Sequence, residues 1–455
     1  MLNTSCDPMC PSDLQQIDDF WPDGVNPTPA FVAALDYVRR LHGNLFITGR
    51  AGTGKSTLLR AMVKSLNGEV VIAAPTGIAA LNVGGETIHS LFRLPRGLLL
   101  DGDENEASPR SIFEIDDITL VIDEVSMVRA DVLNAIDVSL RELRESNVPF
   151  GGVRVIAFGD THQLPPVLMG SDEHRLRRAF GGAYFFHAPA ARSMAMLELT
   201  EVFRQKDERF VALLNEIRDG SASNEALAYL NSRVGPAPRD DAGRWVWICA
   251  TNDAANDVNH SFLNGIRGDA RTYHATVQGD FERDARNGGR GDDASKLPAD
   301  LALTFKVGAR VIFIRNDRYR RWVNGTTGVV TSLADEEIEV RLLSDETITV
   351  APDTWTKIRR VKAGKEIRNE EVGSMSQFPL RLGWAVTIHK SQGMTLDRLF
   401  LNTPRRLFAP GQTYVALSRA RSIEGLRLLR PLTRRDIFLS QEATGYRMHL
   451  DRLKF

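Results

Sequence analysis

Residues 45–57 read LFITGRAGTGKST and join a short apolar run to a glycine-rich loop. An amphipathic stretch follows at residues 58–66, so the expected order is strand, loop, helix. The loop satisfies G-x-x-x-x-G-K-S/T, whose glycines let backbone N–H groups surround phosphates at the positive end of a helix. A glycine turn without a ligand is the alternative, and the flanking strand and helix argue against it. The predicted triphosphate-binding residues are Gly49, Ala51, Gly52, Thr53, Gly54, Lys55, Ser56 and Thr57.

Further apolar runs at residues 70–74, 120–122 and 153–158 each end in polar or glycine residues. Strands that alternate with helices and carry polar groups at their carboxyl ends predict a parallel α/β sheet with a site along one edge. Similar runs return at residues 245–250, 384–388 and 399–401. Between them, short β-like runs alternate with turns from residue 307 to 350, which predicts a small inserted β-barrel.

Composition limits the class of protein. The 455 residues suggest about two to four domains. The 57 basic and 58 acidic residues give a net charge of −1, which does not indicate a nucleic-acid partner. A local basic stripe would still be enough to bind phosphates. Three cysteines build no disulfide framework, and there is no apolar run of about 18 residues. The acidic N-terminus lacks signal or transit character, so we expect a cytoplasmic protein without a membrane partner.

An acidic pair follows the second apolar run. After residues 120–122, Asp123 is a candidate Mg²⁺ ligand together with Ser56, and Glu124 would orient or deprotonate an attacking water. An Asp-Glu pair alone is more often a solvated strand end, but this pair lies downstream of the glycine-rich loop. Gln163 follows the third run and is placed to sense the γ-phosphate.

Eight segments in a fixed order resemble the superfamily 1B helicases of the petite-integration-frequency (PIF) type, relatives of RecD. The resemblance covers roughly residues 30–430. Besides the glycine-rich loop, its segments are APTGIAA (74–80), GGETIHS (84–90), DEVSMV (123–128), GDTHQLPP (159–166), LTEVFRQ (199–205), WAVTIHKSQGMT (384–395) and GQTYVALSRAR (411–421). It implies two RecA-like domains with ATP and Mg²⁺ in the cleft between them. It also implies 5′-to-3′ movement on single-stranded DNA, in replication, repair, recombination or telomere-type maintenance.

The resemblance also implies roles for individual residues. Lys55, Asp123, Glu124 and Gln163 match its catalytic positions, and Arg204 and Arg419 match its two arginine fingers, both expected from the second lobe. Gly393 joins the nucleotide site. The DNA track would be lined by Pro75, Thr76, Gly77, Thr87, His89, Ser90 and His162 on lobe one, and by Thr387, His389, Lys390 and Ser391 on lobe two. Residues 315–322 mix arginines with aromatics and are either a DNA-facing edge or a solvated hairpin.

The predicted domain boundaries follow from these segments. Residues 1–28 form a loose arm, and residues 29–192 form the first RecA-like domain with a wedge insertion at about 91–112. Residues 193–265 and 380–435 form the second such domain. Residues 266–379 form the inserted domain, for which the resemblance implies a small β-barrel of the Src-homology type. Residues 436–455 form a tail.

The sequence leaves several alternatives open. The lead helix lacks the glutamine that family members use to read adenine, so selectivity for ATP is open. A DNA-stimulated translocase that strips proteins with little unwinding is the alternative function. A scaffold with a dead nucleotide site is a third, and the intact catalytic set argues against it. Forked duplexes, RNA–DNA hybrids and G-quadruplexes all remain candidate substrates. We expect a monomer of bacterial or phage type, associated with the nucleoid.

Overall fold

The structure is a computed structural model. It describes residues 20–22, 25, 27–40, 43–95, 97–100, 111–168, 171–205, 207–236, 245–287, 297–315, 317–319, 321–322, 326–342, 344–363, 366–403, 407 and 409–449.

Lobe one is built on a six-stranded parallel sheet with the order β3-β2-β4-β5-β1-β6. Its strands are β1 (Leu45–Gly49), β2 (Glu69–Ala74), β3 (Glu86–Thr87), β4 (Ile118–Ile122), β5 (Arg154–Gly159) and β6 (Ala195–Leu199). Its helices are α1 (Pro29–Arg40), α2 (Lys55–Ser65), α3 (Gly77–Val83), α4 (Ile88–Leu91), α5 (Ala130–Leu143) and α6 (Asp172–Phe180). Strands β1, β4 and β5 are buried along their whole length, because separate apolar clusters cover the two faces of the sheet.

Strand β6 corrects the boundary predicted at residue 193. It pairs in parallel with β1 along its whole length, so lobe one continues to residue 199. Residues 195 and 198 are partly buried and the other three are buried, so one end and one interior position of this edge strand reach solvent. The segment between β6 and the next helix then carries the chain to lobe two.

Lobe two first contributes three helices and one strand: α7 (Glu208–Arg218), α8 (Asn224–Asn231), β7 (Val246–Cys249) and α9 (Asn252–Gly265). The inserted region follows, with β8 (Arg271–His274), β9 (Thr276–Gly279), α10 (Asp280–Asn287), β10 (Ala302–Phe305), β11 (Arg310–Phe313), β12 (Thr327–Leu333), β13 (Ile338–Leu342), β14 (Thr347–Val350), β15 (Asp353–Ala363), β16 (Glu366–Gln377) and β17 (Leu380–Leu382). The chain then returns through β18 (Ala385–Thr387), β19 (Leu399–Asn402), α11 (Gln412–Leu417), β20 (Leu426–Leu428) and α12 (Gln441–His449).

The sheet of lobe two is parallel, with the order β18-β7-β19-β20. The inserted region holds a five-stranded antiparallel sheet, β14-β13-β12-β11-β17, around its own apolar core. Strand β17 pairs with β11, so the insertion extends to residue 382 and the boundary predicted at 379 is too early. Pairing in this sheet runs linearly through the described residues, and closure into a barrel stays a prediction.

Both ends of the described chain pack onto lobe one. Trp21 is buried and stacks on Phe31 with 5.6 Å between ring centroids. At the other end, Tyr446 of α12 stacks on Phe186 at 4.1 Å, and Glu442 pairs with His187 at 3.3 Å. The arm predicted at 1–28 is therefore anchored at Trp21, and part of the tail predicted at 436–455 is a docked helix. Residues 1–19 and 450–455 lie outside the described residues.

The predicted wedge is only partly within the described residues. Phe92 stacks on Phe113 at 5.1 Å, and Leu94 and Leu99 are buried in the core of lobe one. Residue 96 and residues 101–110 fall outside the described residues, so the wedge stays a prediction. No helix in the described part of the chain combines the length and apolar character that a membrane crossing requires.

Candidate nucleotide and nucleic-acid site

The glycine-rich loop connects β1 to α2 and requires glycine at two positions. Gly52 and Gly54 have φ of +83° and +76°, where a side chain is strained. A Cβ on Gly52 would lie 2.7 Å from the Cβ of Arg204, and one on Gly54 would lie 2.7 Å from the Phe31 ring. Arg204 and Phe31 thus enclose the loop on two sides.

Lys55 is the first residue of α2, and its Nζ lies over the loop. It donates to the carbonyl oxygens of Gly49 at 2.7 Å and Arg50 at 3.1 Å. Burial lowers the pKa of Lys55, and the carboxylates of Asp160 and Glu124 oppose that shift. The ammonium therefore lies in a buried site between the loop and the acidic ends of β4 and β5.

Asp123 and Glu124 follow β4 at the same edge. Burial and the neighbouring Glu124 raise the pKa of Asp123 to about 7, and burial also raises the pKa of Glu124. Glu124 adopts φ +50°, a left-handed conformation that is uncommon for a residue other than glycine. Its Oε2 is buried and has no hydrogen-bond partner among the described residues. A pair of buried carboxyl groups with an unsatisfied oxygen fits a site for a divalent cation and a water molecule.

Two arginines lie near Glu124. Arg204 lies in the segment that joins β6 to α7, and Arg419 follows α11 of lobe two. That both arginines act as fingers from lobe two stays a prediction. Arg204 Nη1 donates to the carbonyl of Ser418 at 3.1 Å, and Arg419 Nη2 donates to Ser418 Oγ at 2.8 Å. Burial, with Arg204 nearby, lowers the pKa of Arg419 to about 9. Within the described residues neither guanidinium has an ion-pair carboxylate, which fits a site for a polyanion.

Gln163 lies on the turn after β5, where Asp160 organises the polar groups. Gln163 Nε2 donates to Asp160 Oδ2 at 3.2 Å, and Arg218 Nη2 of α7 donates to Asp160 Oδ1 at 3.0 Å. Burial alone would raise the pKa of Asp160, but Arg218 and Lys55 outweigh it and hold that pKa below its ordinary value. Sequence reasoning missed Arg218, because an arginine at the end of a helix resembles a surface residue.

Tyr414 of α11 links lobe two directly to the glycine-rich loop. Its hydroxyl accepts a hydrogen bond from the Ala51 amide at 2.8 Å, and burial raises its pKa to about 12. Gln205 Nε2 donates to the carbonyls of Ser418 at 3.1 Å and Ala420 at 2.9 Å. The nucleotide site is therefore formed where the two lobes touch. Gly393 lies on an exposed turn with φ +79°, and its part in this site stays a prediction.

The predicted DNA-track residues of lobe one lie near β2 and α4. Thr76 Oγ1 accepts from the Ala79 amide at 3.2 Å, and Thr87 Oγ1 caps α4 by accepting from the Ser90 amide at 3.3 Å. Pro75, Gly77 and His89 accompany them in the same two turns. His162 is only 5% exposed, so its side chain does not lie on the surface in this conformation.

The predicted DNA-track residues of lobe two follow β18. Burial lowers the pKa of His389 and of Lys390, and both are half-buried. Thr387 Oγ1 accepts from the Lys390 amide at 3.2 Å, whereas Ser391 is fully buried and donates to Ile388 O at 2.8 Å. The side chains of Thr387 and Ser391 make hydrogen bonds within this turn, and His389 and Lys390 are its more accessible side chains.

The arginine-rich stretch at 315–322 lies in the inserted region. Tyr319 is 67% exposed, and the Arg318 guanidinium carbon lies 4.8 Å from its ring centroid. Arg321 pairs with Asp317 at 2.9 Å. Residues 316 and 320 lie outside the described residues. An exposed aromatic ring beside cations fits either a solvated hairpin or a stacking surface.

Comparison with known proteins places this geometry in a family. The family model of PIF1-like helicases matches residues 29–227. The chain is 36% identical over 397 residues to mouse "ATP-dependent DNA helicase PIF1", covering 85% of this chain and 57% of that protein's length. It is 33% identical over 409 residues to "ATP-dependent DNA helicase Pif1" of Bdellovibrio bacteriovorus, covering 88% and 87% of the two chains.

Solved structures agree over nearly the whole chain. Bacteroides sp. Pif1 in complex with ADP-AlF4 superposes with a TM-score of 0.83 at 34% identity, covering 94% of this chain and all of that one. Bacteroides Pif1 bound to single-stranded DNA covers the same shares at 34% identity with a TM-score of 0.68. The agreement confirms the two RecA-like domains predicted from the sequence. Because it is 33% identical to the Bdellovibrio relative over most of both chains, the chain belongs to the PIF1-like helicase family.

Proposed function

We propose that the chain is an ATP-dependent DNA helicase that moves 5′ to 3′ on single-stranded DNA and unwinds duplexes. The observation that carries the proposal is that Lys55 and the carboxyl groups of Asp123 and Glu124 lie near two arginines, which have no ion-pair carboxylate among the described residues. Bacteroides Pif1 structures described as bound to ADP-AlF4 and to single-stranded DNA support both ligands. The mouse relative is longer than this chain, which spans 57% of it.

In the proposed reaction the chain's own residues bind and orient the triphosphate. The amides of residues 52–57 and the ammonium of Lys55 would hold the phosphates, and Ser56 and Asp123 would hold Mg²⁺, which neutralises phosphate charge when bound. Glu124 would orient the attacking water and take its proton. Gln163 would position that water, while Arg204 and Arg419 stabilise negative charge in the transition state.

The nucleoside base has an aromatic surface available beside the loop. Phe203 is 46% exposed, and its ring lies 5.8 Å from that of Phe31, which covers Gly54. Its amide donates to the Gly52 carbonyl at 2.9 Å, so backbone contact fixes the ring next to the phosphate site. We propose that Phe203 stacks on the base and supplies affinity that the missing glutamine does not. Stacking is tolerant of base identity, so purine triphosphates other than ATP would also bind.

The DNA track would run across both lobes. Pro75, Thr76, Gly77, Thr87, His89, Ser90 and His162 would contact the strand from lobe one, and Thr387, His389, Lys390 and Ser391 from lobe two. The buried residues of this set would act indirectly, by holding the backbone of the turns that contact the strand. Tyr319 and its neighbouring arginines would add a stacking surface on the inserted domain, for which we propose a closed β-barrel. We also propose that the chain works as a monomer, that it acts at forks or G-quadruplexes, and that it is associated with a bacterial nucleoid.

The proposal is tested with duplexes that carry either a 5′ or a 3′ single-stranded tail. We expect ATP-dependent strand separation on the 5′-tailed duplex, and Lys55→Ala should abolish both DNA-stimulated hydrolysis and unwinding. Lys64→Ala, an exposed lysine on the same helix, is the matched control. Unwinding of the 3′-tailed duplex alone would refute the direction. Hydrolysis on single strands without strand separation would instead favour the translocase that strips proteins.

A further inference from the structure

Asp160 and Arg218 form a buried ion pair between the two lobes. Asp160 follows β5 of lobe one, and Arg218 ends α7, whose apolar side chains lie in the core of lobe two. Arg218 Nη2 lies 3.0 Å from Asp160 Oδ1 and Nε lies 3.5 Å from Oδ2, with side chains 1% and 0% exposed. Separation of the lobes would leave two unpaired charges at a newly opened surface, so the pair belongs to the closed arrangement.

Asp160 also determines how Gln163 is oriented. Its Oδ2 accepts from Gln163 Nε2 at 3.2 Å, and its Oδ1 accepts from the His162 amide at 3.2 Å. Because the amide nitrogen of Gln163 donates to the carboxylate, its Oε1 is left to accept a hydrogen bond from a water molecule. The orientation of the side chain that would position the attacking water therefore depends on Asp160.

Lobe two supports the same turn at a second point. Gly411, which precedes α11, packs so closely that a Cβ there would lie 2.4 Å from the Gln163 carbonyl oxygen and 2.6 Å from that of His162. Its φ of +73° also requires glycine. Arg218 thus holds the side chain of Asp160, while Gly411 confines the backbone of the turn. Both contacts come from lobe two.

We propose that Arg218 is a positioning residue for hydrolysis: it orients Gln163 through Asp160 only when the lobes are closed. The inference rests on the proposed ATPase function and adds to it a link between closure and the water-positioning side chain. Arg218 differs from Arg204 and Arg419 because its guanidinium is neutralised by a carboxylate and is not available to a phosphate. Closure would therefore do two things at once, bringing arginines to the phosphate and aligning the glutamine.

The test is steady-state ATP hydrolysis with saturating single-stranded DNA, comparing wild type with Arg218→Gln, Arg218→Lys and Asp160→Asn. Arg218→Gln should lower kcat about 10- to 100-fold, the cost of a misplaced reacting group, with KM for ATP within about twofold. Arg218→Lys keeps a positive charge and should recover part of kcat. The double variant Arg218→Gln with Asp160→Asn should be no slower than Asp160→Asn alone, because the two residues act as one unit.

Arg430→Gln is the control for a purely structural effect. It removes the Arg430–Asp436 pair, 2.6 Å apart and within lobe two, and should leave kcat per folded molecule near the wild-type value. A kcat for Arg218→Gln within twofold of wild type overturns the inference while leaving the proposed function intact. So does an equal loss in both variants. A folded wild-type protein that binds single-stranded DNA but hydrolyses no ATP overturns the proposed function, and this inference with it.

Discussion

At the scale of single residues, the site is defined by charges that the protein buries without neutralising. Among the described residues, a buried oxygen of Glu124 has no hydrogen-bond partner, and the neighbouring guanidinium groups of Arg204 and Arg419 have no ion-pair carboxylate. Buried charges of this kind are costly unless a ligand compensates them. The sequence identified all three of these residues by motif, and their environment is typical of a binding site rather than of a structural ion pair.

The acidic pair makes the stability of the metal-free protein depend on pH. The pKa of Asp123 is raised from its ordinary value to about 7, so the folded state holds this proton more tightly than the unfolded chain does. The free energy of unfolding is therefore higher at acidic pH and decreases as pH rises from about 4 through 7. The decrease is at most about 1.4 kcal/mol for each unit by which the pKa is raised.

The measurement is Tm from pH 5 to 8, with and without Mg²⁺. Tm of the metal-free wild type should fall relative to Asp123→Asn as pH rises. Mg²⁺ should stabilise the wild type more at pH 8 than at pH 5, because the cation requires the deprotonated carboxylate. Parallel Tm profiles for wild type and Asp123→Asn would contradict the assigned pKa.

Phe203 gives a second prediction at this scale. Replacing it with Ala should raise KM for ATP about 3- to 10-fold, corresponding to the loss of one aromatic stack, with a smaller change in kcat. Phe203→Tyr keeps the ring and is the matched control. Hydrolysis is measured with ATP and GTP at saturating DNA. An unchanged KM in the Ala variant would remove Phe203 from the nucleotide site.

At the scale of elements, helix α12 shows how a segment near the end of the chain stabilises the first lobe. Ala443 is buried in the core of lobe one, and Tyr446 stacks on Phe186. The sequence predicted a tail, because the stretch at 441–449 has little apolar periodicity and few large apolar residues. Its position is decided by the aromatic surface that lobe one presents at residues 184–186, which no local pattern within the helix reveals.

Tyr446 provides the test of this packing. Tyr446→Ala should lower the free energy of unfolding by about 2 kcal/mol through lost aromatic contact. Its hydroxyl is buried without a hydrogen-bond partner among the described residues, so Tyr446→Phe should be neutral or slightly stabilising. Both are measured by urea unfolding. Equal destabilisation by the two substitutions would show that the hydroxyl, and not the ring, makes the important contact.

At the scale of the whole molecule, the nucleotide site exists only where the lobes meet. Tyr414 contacts the glycine-rich loop, Arg218 contacts the turn after β5, and Gln205 ties the connecting segment to Ser418. Ala51 and Leu164 of lobe one are even buried within the apolar core of lobe two. Hydrolysis should consequently depend on closure, because each lobe alone holds only part of the catalytic set.

The two arginines near Glu124 test this dependence. Arg204→Ala and Arg419→Ala should each lower kcat about 10³-fold or more, as expected for arginine fingers, while nucleotide binding is largely retained. Arg209→Ala, exposed on α7, is the control. Turnover and binding of a fluorescent ADP analogue are measured in parallel. A loss of binding without a loss of kcat would assign the arginines to substrate affinity instead.

The sequence by itself determined the strand, loop and helix at 45–65, the acidic pair after β4, and the parallel α/β class of both lobes. These features are local, since hydrophobic periodicity and glycine spacing act within about a dozen residues. Only the tertiary structure decided that β6 is the edge strand of the first sheet, that β17 belongs to the insertion, and that α12 packs on lobe one. It also decided the Asp160–Arg218 pair, whose members lie 58 residues apart. Such contacts depend on which surfaces the folded lobes bring together, and no short stretch of sequence carries that information.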